Sequence, residues 1–157
     1  RNMNWYTTIK EANQDSFLPS RYYHGSMKYL EPGTILKPSD DYENDWQDTD
    51  FYEPLNYYKP NNMLSHKEAV FMVTNEDDVD LAGGGTEWLF IVRPLGKVQR
   101  HDLNWGSEIS MLVSDDPDDV PAIKQAAMNY WNGVPHHNES VWEYLTTSAE
   151  ILSVERY

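Results

Sequence analysis

Tyr22-Tyr23-His24-Gly25-Ser26 is the stretch on which the reading of the fold turns. Aromatic residues entering a short apolar-polar run describe a β-strand from Arg21 to Ser26. The strand ends in an imidazole, a residue without a side chain and a hydroxyl. A glycine at that point lets a flat ligand lie close to the main chain, whose N–H and C=O can pair with an amide. The imidazole offers a donor or an acceptor to a sugar hydroxyl.

Working outward, Glu31-Pro32-Gly33-Thr34 has Pro second and Gly third, the pattern of a type II turn. Thr34 to Leu36 reads as a second short strand. Upstream, residues 3–13 carry Trp5, Ile9 and Ala12 at helical spacing. Residues 39–63 are polar, acidic and aromatic without a period, and read as a long inserted loop of the kind that often lines a ligand site. Ala69 to Thr74 reads as a buried strand, and Asn75 as the cap of a short helix. Gly83-Gly84-Gly85 leads into the clearest strand, Glu87 to Pro94. Residues 97–104 read as extended, then loop. Val120 to Trp131 has apolar residues at helical spacing, an acidic start and an Asn132-Gly133 stop. Trp142 to Val154 reads as one or two closing strands. Strands outnumber helices and do not alternate with them, which predicts an α+β fold.

The chain has 157 residues, the length of one domain, and 1–157 is read as such. Arg1-Asn2 ahead of Met3 reads as a cloning remnant. With 12 basic against 26 acidic residues, the net charge of −14 repels phosphate backbones and anionic lipid, so nucleic acid is not an expected partner. No apolar run approaches the ~20 residues of a membrane span. Absence of cysteine excludes disulfides and thiolate chemistry and suits a cytoplasmic setting. The five histidines show no metal-ligand spacing, and no metal is expected.

Three blocks in order resemble the rifamycin ADP-ribosyltransferases. Tyr22 to Ser26, followed by Leu30-Glu31-Pro32-Gly33-Thr34-Ile35-Leu36-Lys37-Pro38, resembles that family's aromatic-aromatic-His-Gly-Thr opening and its Leu-x-x-Gly-x-x-Leu-x-Pro continuation. Ala69 to Thr74 is similar to its second strand, Val-Tyr-Phe-Thr. Trp88 to Gly96 is similar to its Ile-Tyr-Val-Val-Glu-Pro-x-Gly strand. The His-Gly-Ser form also resembles the poly-ADP-ribose polymerase class. The resemblance implies two small antiparallel sheets packed as a split sandwich with short peripheral helices. It also implies a mono-ADP-ribosyltransferase that takes NAD as co-substrate.

By the same resemblance, Tyr23, His24, Gly25, Ser26 and Phe71 bind NAD. His24 holds the ribose, the Gly25 main chain takes the nicotinamide amide, and Phe71 provides the stacking face where the family has Tyr. The catalytic acid is Asp102, which follows the Pro-x-Gly strand, or Glu143 in Trp142-Glu143-Tyr144-Leu145, which resembles the polymerase strand bearing the catalytic Glu. The rings of His24 and Phe71 are expected to border one pocket. The acceptor is a rifamycin-like small molecule or a protein, and the chain is expected to act as a monomer. The alternative is a catalytically degenerate relative, viral ones included, that binds a ligand or partner without transfer.

Overall fold

The computed structural model describes residues 21–38, 49–81 and 85–157. The readings placed on residues 3–13, on 39–48 and on Gly83-Gly84 lie outside them. Among the described residues the chain forms seven strands: β1 (Tyr22–Ser26), β2 (Ile35–Leu36), β3 (Val70–Met72), β4 (Trp88–Pro94), β5 (Gln99–Asp102), β6 (Trp142–Thr146) and β7 (Ala149–Arg156). Three α-helices accompany them: α1 (Tyr52–Tyr57), α2 (Asn104–Asp115) and α3 (Val120–Trp131).

The strands make two antiparallel sheets, one ordered β1-β4-β7-β2 and the other β3-β6-β5. The fold is α+β, as the strand-rich, non-alternating pattern implies. β1 pairs with β4 along its whole length, with His24 opposite Phe90 and Gly25 opposite Leu89. β7 carries one extra residue, Leu152, where its register against β4 shifts. The edge of one sheet meets the edge of the other at a single bridge, Tyr23 with Val73, whose N–H and C=O groups bond reciprocally at 2.7 and 3.0 Å.

Alternation sorts the apolar residues. Val70 and Met72 of β3 share a buried cluster with Phe90 and Val92 of β4 and Ile151 of β7, joining the two sheets. On the other side, Trp105 and Ile109 of α2 pack with Ile123, Ala126, Tyr130 and Trp131 of α3 and Leu55 of α1. The turn at Glu31–Thr34 forms as expected: Thr34 N–H donates to Glu31 C=O at 3.1 Å, and Gly33 sits at φ +93°. Gly133, at φ +71°, ends α3.

Two expectations are corrected. The stretch 39–63 is not wholly loop, because Tyr52–Tyr57 is helical. Its Leu55 is buried, and the Leu55 carbonyl accepts from the Trp131 indole at 2.9 Å. Pro54 is tolerated because it lies in the first turn, where an N–H has no helical partner. The chain after Asp102 also does not run on as loop but turns at once into α2, whose inward stripe is Trp105, Ile109 and Leu112.

Candidate functional site

Past the Tyr23–Val73 bridge, β1 and β3 diverge. The next hydrogen-bonded pair of that ladder would be Gly25 with Phe71. Instead the Phe71 carbonyl accepts from His24 Nδ1 at 2.7 Å. A carbonyl can only accept, so Nδ1 carries the proton and Nε2 the lone pair. Burial pushes the His24 pKa down, which keeps the ring neutral. His24 thus closes the fork between the two sheets with its side chain.

The fork decides which groups meet. By strand alternation Gly25 and Phe71 share the face of Tyr23 and Val73, while His24 projects from the other. The His24 ring stacks near Phe90, with centroids 6.1 Å apart. The Phe71 ring lies 5.9 Å from His66. The two rings therefore do not border one pocket as expected; His24 reaches Phe71 through its main chain. Gly25 is buried, and its missing side chain is explained by the protein itself. A Cβ there would lie 2.1 Å from the Gly85 carbonyl oxygen and 2.4 Å from Val79 Cγ1. Tyr23 packs against Val73, Val79 and Leu89. The Ser26 hydroxyl donates to Lys28 C=O and accepts from Lys28 N–H, at 2.8 and 3.0 Å.

The two expected acids are both fully buried. Asp102 ends β5 and its carboxylate accepts three main-chain N–H groups. Asn104 and Val141 donate to Oδ1 at 3.0 and 3.1 Å, and His136 donates to Oδ2 at 2.8 Å. It ties the start of α2 to the loop that follows α3.

Glu143 lies on the Phe71 face of its sheet, two residues from Leu145, which pairs with Phe71. The Tyr130 hydroxyl donates to Glu143 Oε2, and the same hydroxyl lies 2.5 Å from His66 Nε2. Glu143 Oε1 has no hydrogen-bond partner among the described residues. Burial pushes the Glu143 pKa up to about 8, against the lowering influence of Tyr130. Beside it, His101 donates from Nδ1 to Tyr130 C=O at 2.8 Å and accepts at Nε2 from the Gln99 amide at 3.0 Å. Burial lowers His66 to about 3 and His101 to about 4. At neutral pH the cluster is uncharged: a protonated Glu143 among neutral imidazoles and a phenol.

Sequence reading did not find His66, His101 or Tyr130 as a group, because they come from a single-turn helix, a strand and α3. The only available signal was parity, since His101 and Glu143 are directly opposed on β5 and β6. It also passed over Glu108, His136 and His137, whose ligand-capable atoms lie within 4.8 Å of one another. Glu108 and His136 are 28 residues apart, too far for a spacing motif.

No family model matches the sequence, and no curated protein matches it significantly. Among the described residues no helix is long and apolar enough to cross a membrane.

Proposed function

We propose that the chain is an NAD-dependent mono-ADP-ribosyltransferase on a split-sandwich fold, with NAD held at the β1–β3 fork. One observation carries the reading. At the point where two antiparallel sheets part, a neutral His24 donates to the Phe71 carbonyl and keeps an Nε2 lone pair to accept from a ribose hydroxyl. Phe71 takes part through its carbonyl, which orients the His24 imidazole, while its own ring lies on the opposite face beside His66. Of the two acids, Glu143 is the one on the Phe71 face, whereas Asp102 is committed to three main-chain N–H groups. Orientation of the bound NAD supplies the rate. The acceptor is a small molecule or a protein.

A second reading, binding of NAD or a partner without transfer, is favoured by two specific observations. Glu143 is fully buried, and the Gly25 main chain is covered by Val79 and Gly85. Incubation with NAD and chromatography of released nicotinamide separates them. Transfer gives release above background, lowered about 10²-fold by His24→Ala. Calorimetric NAD binding without release supports the second reading, and absence of NAD binding overturns the first and leaves of the second only the binding of a partner.

A further inference from the structure

We propose that Glu108, His136 and His137 form a site for one divalent transition-metal ion of the zinc class, with a fourth coordination position left open. Two imidazole nitrogens converge on one carboxylate oxygen. His136 Nε2 lies 2.9 Å from Glu108 Oε1 and His137 Nε2 lies 3.8 Å from the same atom. Metal–ligand bonds of about 2.0–2.2 Å in a tetrahedron put neighbouring ligand atoms roughly 3.4 Å apart, so the two separations bracket the required one. Imidazole nitrogen and carboxylate oxygen are the donor set of zinc, nickel and copper. Three protein ligands plus an open position is the pattern of a site that binds a water or an exogenous group.

Glu108 and His136 are held in place before any ion arrives, and His137 rests on them through its ring contacts. His136 has a buried side chain, whereas His137 is 61% exposed. Their rings stack at 4.2 Å, and the Trp105 indole meets both edge-on at 4.7 and 6.0 Å. Trp105 and Glu108 lie one turn apart on α2. Asp102 accepts both the His136 N–H and the N–H of the first residue of α2, so one carboxylate aligns the helix with the loop. Metal binding at His136 Nε2 places that ring's proton on Nδ1. The long 3.3 Å contact from Asn138 N–H to Nδ1 is then given up.

The test uses the full chain without an affinity tag. Co²⁺ is titrated and followed by its visible ligand-field absorption, and Zn²⁺ by calorimetry. The expected result is saturation at one equivalent, with affinity lowered about tenfold or more in His137→Ala and in Glu108→Gln. Zn²⁺ is also expected to raise the melting temperature of the unaltered chain and not that of the variants. Since His137 is exposed, its variant folds independently of the result. Absence of saturable binding, or equal affinity in all three proteins, overturns the proposal. Neither outcome depends on NAD.

Discussion

Glu143→Ala is expected to destabilise the fold by about 2–5 kcal/mol in urea unfolding. The side chain is fully buried, so its loss leaves a cavity and removes the acceptor of the Tyr130 hydroxyl. Glu143→Gln is expected to cost less than about 1.5 kcal/mol, because at neutral pH it exchanges one uncharged, equal-sized group for another. Equal losses in the two variants would contradict a protonated Glu143.

The same cluster sets the pH dependence. Between the ordinary carboxyl value of 4.5 and about 8, folded Glu143 holds a proton that the unfolded chain has lost. Its contribution is complete below pH 4.5 and disappears as pH rises to about 8. His66 and His101 act in the opposite sense. Their contribution is complete above 6.5 and disappears as pH falls towards about 3 and about 4. Two groups gain while one loses below 6.5, and Glu143 alone loses above it. Stability is therefore expected to peak near pH 6.5 and to fall towards pH 8 by up to about 1.4 kcal/mol per unit. Unfolding curves across pH 5–9 check this. Glu143→Gln should flatten the alkaline side, and an unchanged slope in that variant would assign the titration elsewhere.

Gly25→Ala is expected to cost about 1–3 kcal/mol even without any ligand. The new methyl meets the Gly85 carbonyl oxygen at 2.1 Å, a backbone atom that cannot rotate away, as well as Val79 Cγ1. Adding Val79→Ala relieves only the second clash, so the double variant should recover little. Full recovery in the double variant would show that the side chain, not the main chain at Gly85, limits the space.

Much of the frame was legible beforehand for local reasons. The turn at Pro32-Gly33, the helix from Val120 to its Gly133 stop and the strand at Trp88–Pro94 each carry their own signals within a few residues. α2 was missed although Trp105, Ile109 and Leu112 follow helical spacing, because Gly106 and three serines dilute it. The site was legible only in part. His24, Gly25 and Phe71 do gather at one fork, but the side each ring faces depends on the Tyr23–Val73 register, a long-range pairing no local pattern encodes. Asp102 looked catalytic by its place after a strand. Its three N–H donors come from Asn104, His136 and Val141, two of them more than 30 residues away.

The lone rung between Tyr23 and Val73 makes the seven strands a single curved wall with a seam. Among the described residues that seam is crossed by one rung and the His24 tether, whereas every other strand boundary is a ladder of two or more paired residues. What holds the halves together across it is chiefly apolar contact, the cluster of Val70 and Met72 with Phe90, Val92 and Ile151.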